Sequence, residues 1–276
     1  MSRIYGGPNG YGYTRHSNKF PCASFNDLKL AASPSGAADL RYLVNGEVLN
    51  QTQTSSCTGH GVAMGATVAM RSHGTVLDMI SPRGCYGVGR AMDRLVNSHG
   101  VLPPLHDEGC ETAQVVSGIQ LYGTRPMRDR VVVDGVQVNS DCNSDNVNEE
   151  PNLSELITSY STRLLGAHLV ASFGVRRIVD VSLALDAGYP VVFGTFVDTA
   201  FESYSGGVFG AARLSDPDGG GHCMCCLGYT GLGDNFVGIG RNSWGKDWGN
   251  FGDFRFGPAF IAQWEDIFVL SITKAA

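Results

Sequence analysis

The sequence predicts an α+β protein whose helices precede its strands. Apolar side chains recur at helical spacing between about residues 50 and 130, whereas after residue 189 they alternate with polar ones at a period of two. The chain has 276 residues, 43% of them hydrophobic and 17% charged. That is enough for one large domain or two packed lobes, and too apolar for a disordered chain. Segregated helices and strands favour two lobes with a ligand site in the cleft between them.

Each predicted helix has its own start or stop signal. The first follows Ser55 and Ser56 and ends at Gly74, and the second begins at Ser81–Pro82, an N-cap followed by a first-turn proline. A third runs from about residue 111 to Gly123, and a fourth covers 176–188. Side chains expected to face the core are Val62, Ala63, Ala66, Ala69, Met70, Cys85, Val88, Met92, Leu95, Val115, Ile119, Tyr122, Ile178, Val181 and Leu185.

The remaining segments divide the chain into an arm and a larger domain. Residues 1–35 are rich in Gly, Tyr, Asn and Ser without a sustained period, which predicts an irregular N-terminal arm ahead of a domain over 36–276. Within that domain we expect a helical lobe over about 50–130, a polar surface insertion over about 133–152, and a strand-rich lobe over about 189–272. The predicted strands are 189–196, 222–230, 236–242, 252–256 and 266–272.

Composition argues against several classes of partner. The formal net charge is -6 and no run of Lys and Arg stands out, which argues against nucleic acid. No apolar stretch reaches the ~20 residues of a membrane-spanning helix, and the N-terminus has no apolar core typical of a secretory signal. The eight cysteines show no zinc spacing. We therefore expect reduced thiols, a cytoplasmic location and a monomer as defaults, with no cofactor and no metal.

Four residues supply the parts of a thiol acyl-transfer site. Cys57 lies at a predicted helix start, where unpaired N–H groups and the helix dipole stabilise a thiolate. His222 opens a strand after a run of glycines, Asn242 ends the next strand, and Gln51 precedes the cysteine by six residues. A thiolate attacks a carbonyl, an imidazolium protonates the leaving amine, and amide groups orient the ring and bind the oxyanion.

These residues stand in motifs that resemble the papain family of cysteine peptidases. The motifs are Q-x5-C, GGGH before an apolar strand, and RNSWG-x2-WG-x2-G, and the similarity runs from about Asp39 to Ile272. SPRGCYGVGRAMDR, LHDEGCETAQVVSGIQLYG, AGYPVVFGTF and YSGGVF resemble family segments in the expected order. The SCT sequence at Cys57 is closer to bacterial, archaeal or viral members than to the plant and animal C-G-S-C-W form.

The resemblance implies a two-lobed papain-like fold and a role for each residue. Cys57 would be the nucleophile of a peptide-hydrolysing enzyme, His222 its acid and base, and Asn242 the group that orients the imidazole. Gln51 and the Cys57 N–H would form the oxyanion hole. By the same resemblance, Trp244 would shield the His222–Asn242 bond, and Gly109 would hydrogen-bond an extended polypeptide substrate. Cys110 and Cys223 would flank the pocket for the residue before the one at the scissile bond.

Several departures and alternatives stay open. Thr54 stands where many family members have a bridged cysteine, so that disulfide is expected to be absent. The arm, with Tyr11, Tyr13, Phe20 and Phe25, would either cover the cleft or pack elsewhere as a strap.

Three alternatives compete with the peptidase assignment. His60 is an alternative partner of the thiol, because it lies close to the same helical face as Cys57. The HCMCC run suggests a metal, but one short strand cannot converge four ligands. A repurposed or inactive fold acting as a binding or structural component, and a transpeptidase or amidase using the same acyl-enzyme, are the alternative functions.

Overall fold

The structure is a computed structural model of the full chain. The residues it describes are 11, 13–14, 23–75, 78–97, 105–127, 132–133, 136–137, 142, 146–149 and 165–272.

The four predicted helices are all present. In chain order they are α1 (Cys57–Ser72), α2 (Pro82–Asn97), α3 (Thr112–Tyr122) and α4 (Gly174–Asp186), followed by the short helices α5 (Thr199–Glu202) and α6 (Pro258–Ile261). Gly188 ends the fourth helix as predicted: its φ is +81°, its N–H donates to the Leu185 carbonyl at 3.0 Å, and the Tyr189 N–H donates to the Ala184 carbonyl at 2.9 Å. This is the Schellman arrangement that favours glycine.

Strands dominate the second half of the chain, also as predicted. The strands are β1 (Tyr13–Thr14), β2 (Ala23–Ser24), β3 (Ala37–Asp39), β4 (Cys110–Glu111), β5 (Val132–Val133), β6 (Val136–Gln137), β7 (Leu165–Leu169), β8 (Val191–Val197), β9 (Val208–Phe209), β10 (Gly220–Thr230), β11 (Val237–Arg241), β12 (Asp253–Phe256) and β13 (Glu265–Ile272). Nine of them form one sheet in the order β2-β7-β13-β8-β10-β11-β12-β9, with β3 paired to β10. Pairing along β7-β13-β8-β10-β11-β12 is antiparallel.

The helix α1 lies between the other helices and this sheet. Every residue from Cys57 to Met70 is buried, and three glycines let neighbouring backbones approach closely. A Cβ at Gly59 would stand 2.6 Å from Tyr86 Cβ on α2, and one at Gly61 would stand 2.9 Å from Cys223 Sγ on β10. Glycine costs helix propensity, but here it brings the first turns of α1 against both the helical lobe and the strand that carries His222.

Two sequence expectations need correction. Tyr122 is half-buried at the end of α3 rather than inward, although Val115 and Ile119 of the same helix are buried as predicted. The polar stretch over about 133–152 is not simply a surface loop: β5 and β6 pair as a hairpin at its start, and Cys142 and Val147 are buried. Side chains of α2 hold residues 146–149, because Arg83 pairs with Glu149 and Arg90 donates to the Val147 carbonyl.

The N-terminal arm contacts the domain in the parts that the structure describes. The backbone of Tyr13–Thr14 pairs in parallel with Cys110–Glu111, and that of Ala23–Ser24 pairs in parallel with β7. At the arm's end, the Ser35 N–H and hydroxyl donate to the Asp186 carboxylate at 2.6 and 2.8 Å. Among the described helices, none is long and apolar enough to cross a membrane.

Candidate active site

Cys57 is the first residue of α1 and is completely buried. The N-cap residue Ser56 makes no side-chain capping bond to the helix, so the first turn presents N–H groups and the positive end of the helix dipole at the sulfur. The structure therefore places the thiol where the sequence predicts it, at the start of a helix.

His222 and Asn242 are in direct contact. His222 Nε2 lies 2.7 Å from Asn242 Oδ1, and the Ser243 N–H donates to the same oxygen at 2.8 Å. Because the Ser243 N–H identifies this atom as the acceptor, Nε2 must carry the proton. In the neutral ring Nδ1 is then a base, and it is buried with no hydrogen-bond partner among the described residues. Asn242 thus fixes the tautomer that accepts a proton at Nδ1.

Burial also sets the charge of this imidazole. It lowers the pKa of His222 to about 4, against the opposing effect of the Asn242 hydrogen bond. Trp244 stacks on the ring with centroids 4.7 Å apart and planes 29° apart, which covers the His222–Asn242 pair with apolar surface. In the observed conformation His222 is therefore neutral at pH 7.

Gln51 is held by the segment that follows Asn242. Its backbone N–H donates to the Ser243 carbonyl at 2.8 Å, and its side-chain Oε1 accepts from the Ser243 hydroxyl at 2.7 Å. Its Nε2 donates to the Thr54 carbonyl at 2.8 Å. Ser243 thus connects the predicted oxyanion donor to the predicted orienting amide.

The three residues predicted to bind substrate lie on both sides of the start of α1. Gly109 has φ +80° and donates its N–H to the Tyr86 hydroxyl at 2.9 Å. Cys110 is 3.1 Å from Thr58 Oγ1, and Cys223 is 3.6 Å from Thr112 Oγ1. Burial raises the pKa of Cys110 to about 12 and raises that of Cys223, and negative charge on Cys57 raises both further. The Cys57 sulfur therefore lies within electrostatic reach of Cys223, the residue that follows His222.

His60 lies beneath the site rather than in it. Its Nδ1 is 2.9 Å from the Ser56 carbonyl oxygen, one helical turn back, and burial lowers its pKa to about 4. Among the described residues, no group of three or more His, Cys, Asp or Glu side chains is arranged to hold a metal ion. The described cysteines, including Cys57 and Cys110, are free thiols.

Tyr11 of the arm covers the imidazole. Its ring is 1% exposed and lies edge-on to His222 and tilted to Trp244, with both centroid distances 6.2 Å. Its hydroxyl donates to the Glu202 carboxylate. A Cβ at Gly220 would stand 2.3 Å from the Tyr11 ring, so the glycine run before His222 admits this side chain.

Sequence reasoning missed three residues that shape the site. Asp107 accepts from the Ser55 N–H at 2.9 Å and from the Tyr86 hydroxyl at 2.9 Å, which holds the loop before Cys57 against α2. Ser243 and Glu202 act through contacts distant in sequence. Only Ser243 had a local signal, its place between Asn242 and Trp244.

Comparison with known sequences finds the papain family in the second half of the chain. The family described as papain family cysteine protease matches residues 174–259, a range that includes His222 and Asn242 but not Cys57. A relative from Acanthamoeba polyphaga mimivirus, an uncharacterized peptidase C1-like protein named L477, is 33% identical over 90 residues. That match spans 32% of this chain and 28% of the mimivirus protein.

Comparison with solved structures establishes the fold over the whole chain. Xylellain, a cysteine protease from Xylella fastidiosa, superposes with a TM-score of 0.70 at 18% identity and covers 99% of this chain and 100% of its own. Procathepsin B S9 from Trypanosoma congolense gives a TM-score of 0.63 at 15% identity, over 96% of this chain and 87% of its own. The chain has the α+β, two-lobed papain-like fold.

Proposed function

We propose that this chain is a cysteine endopeptidase that hydrolyses peptide bonds through a thioester on Cys57. The observation that carries the proposal is the His222–Asn242 pair at 2.7 Å, which leaves a basic Nδ1 in a papain-like fold whose central helix begins with a buried cysteine. The bacterial, archaeal or viral type that the SCT sequence indicates is part of this proposal, and the partial match to the mimivirus protein agrees with it.

The proposed cycle assigns a role to Cys57, to His222 and to Gln51. His222 Nδ1 takes the proton of the Cys57 thiol, and the thiolate attacks the carbonyl carbon of the substrate. The resulting oxyanion accepts from the Cys57 N–H and from the side-chain amide of Gln51. The imidazolium then protonates the leaving amine as the C–N bond breaks, which leaves a thioester on Cys57. Water attacks this thioester, returns its proton to His222 and releases the acid as the C–S bond breaks.

The proposed site has an acyl side and a leaving side. An extended substrate would run beside Gly109 and Cys110 on the acyl side, and its leaving amine would depart past His222 and Trp244. The arm runs in the opposite chain direction to such a substrate, from the leaving side to the acyl side, because Tyr11 lies at His222 and Tyr13 pairs with Cys110. We propose that the arm therefore blocks the cleft in a direction in which its own peptide bonds cannot be attacked.

The proposed function is tested by incubating the full-length chain with a peptide mixture and identifying new termini by mass spectrometry. Cleavage products that are absent with Cys57→Ala are the expected result. Products that carry an added amine in place of water would instead indicate a transpeptidase. Alkylation of Cys57 by an epoxysuccinyl probe without any turnover would indicate a repurposed fold, and turnover by Cys57→Ala would contradict the thiol mechanism.

Replacing Ser243 with alanine is expected to lower kcat about tenfold with little change in KM. The hydroxyl holds Gln51 Oε1 at 2.7 Å, so its loss frees the amide that would bind the oxyanion, and one oxyanion donor is worth roughly 10²–10³ in rate when removed outright. Steady-state kinetics check this. Ser205→Ala, an exposed serine outside the site, is the control, and a rise in KM alone would contradict the positioning role.

Acid is expected to uncover the site. His222 has a pKa of about 4 when buried and would return towards ~6.5 in water. The covered form, in which Tyr11 packs on His222, is stable only while His222 is neutral. This stabilisation is therefore complete above pH ~6.5 and is lost as the pH falls towards ~4. As the pH is lowered from 7.5 to 5, the ratio of the Cys57 alkylation rate in Tyr11→Ala to that in the unaltered chain should fall by roughly tenfold or more. A constant ratio would contradict this coupling.

A further inference from the structure

A cavity lies beside Trp244 on the leaving side of the site, and it has no role in the proposed catalytic cycle. Its volume is about 250 Å³, and it is lined by Asn50, Thr52, Gln53, Glu202, Trp244 and Trp248. Trp244 belongs to both regions, because it stacks on His222 and also borders the cavity. The first residue released after the scissile bond would therefore extend into this space.

The walls of the cavity combine aromatic surface with one carboxylate. The rings of Trp244 and Trp248 are 5.4 Å apart and perpendicular, at 88°, and both side chains are half-buried. Trp248 Nε1 donates to the Glu202 backbone carbonyl at 2.8 Å, which fixes the indole beside the residue that carries the carboxylate. An aromatic wall accommodates the methylene stem of a long side chain, and indoles attract cations more strongly than other aromatic rings.

The Glu202 carboxylate is available to a cation. Among the ion pairs of the described residues none includes Glu202, and the donor it receives is the Tyr11 hydroxyl. Tyr11 is part of the arm that would leave when a substrate enters. When the arm covers the site, the neutral Tyr11 hydroxyl thus occupies the position that a positively charged side chain of a substrate would take.

We infer that this cavity selects a lysine or arginine as the first residue after the scissile bond, with Glu202 as the specificity-determining residue. The inference rests on the proposed peptidase function. The methylene stem would lie along Trp244 and Trp248, and the charged head would donate to Glu202 Oε1 or Oε2. A partly desolvated pairing of this kind corresponds to an advantage of roughly tenfold or more over an uncharged side chain of the same length.

The test measures binding of a leaving-side product rather than turnover. The full-length chain carrying Tyr11→Ala and Cys57→Ser is titrated with the dipeptide amides Lys-Ala-NH2 and norleucine-Ala-NH2, and the indole N–H signals of Trp244 and Trp248 are followed by NMR. The lysine peptide is expected to bind at least tenfold more tightly. Adding Glu202→Gln should reduce the difference to within about threefold, whereas Asp247→Asn, an exposed carboxylate outside the cavity, should preserve it.

Three outcomes would overturn the inference: equal affinity for the two peptides, a lysine advantage that survives Glu202→Gln, or no binding of the lysine peptide at tens of millimolar. Because Cys57→Ser removes the nucleophile, the result does not depend on catalysis. A chain that binds the lysine peptide selectively but cleaves nothing would keep the inference and lose the proposed function. Cleavage without any preference for a basic residue would do the reverse.

Discussion

In the full-length chain freed by Tyr11→Ala, His222→Ala is expected to lower kcat/KM by roughly 10³-fold or more, and His60→Ala by less than about tenfold. Both histidines are buried and both have a pKa of about 4, so burial and titration do not distinguish them. The partner of the bonded nitrogen does. His222 Nε2 bonds the Asn242 side chain, whereas His60 Nδ1 bonds the Ser56 carbonyl at the start of its own helix, and in each ring the other nitrogen is buried without a hydrogen-bond partner among the described residues.

The measurement is peptide hydrolysis together with the rate at which iodoacetamide alkylates Cys57, read by intact mass. Removing the base should slow both, because the thiol must then ionise without a partner. Cys57→Ala should give neither turnover nor the fast adduct, since burial raises the pKa of Cys110 and Cys223 and leaves them as unreactive thiols. A loss with His60→Ala as large as that with His222→Ala would reassign the base to His60.

The sequence predicts the elements of this fold well because their signals are local. The four long helices carry start or stop signals and a 3.6-residue period, and β10 and β11 carry a period of two between glycine turns. His222 and Asn242 could be singled out for the same reason, since His222 lies near the start of β10 and Asn242 directly follows β11. The bond between them follows from the antiparallel pairing of β10 and β11, which places Asn242 just beyond the last ladder pair, Cys225 with Arg241.

What the sequence could not predict depends on contacts distant along the chain. Tyr11 lies in a segment without a periodic pattern, and only the folded structure shows its contacts with His222, Trp244 and Gly220. Glu202 ends a four-residue helix and lies outside the segments that resemble the family. The expected inward position of Tyr122 was wrong, since this last residue of α3 is only half-buried. A hairpin also forms within a stretch whose composition predicts only a loop.

Tyr11→Ala in the full-length chain is expected to raise the rate constant for alkylation of Cys57 by about 30- to 150-fold at pH 7.5. The ring is almost completely buried, and its removal should weaken docking of the arm by about 2–3 kcal/mol, with about 1.4 kcal/mol for each factor of ten. A bulky probe reaches Cys57 only when the arm is displaced, so its rate reports the open fraction. Tyr42→Ala, at a tyrosine that is 70% exposed, is the matched control and should leave the rate unchanged.

A second variant distinguishes displacement of the Tyr11 ring from general loosening of the fold. Gly220→Ala keeps Tyr11 but places a methyl group 2.3 Å from its ring, a distance at which the ring must shift, so it should also accelerate alkylation. Both variants should keep the far-UV circular dichroism of the unaltered chain, because the helices and the sheet do not depend on the arm's aromatic contact. Unchanged alkylation in both would show that probes reach Cys57 by another path, and the arm would then be a strap beside an open cleft.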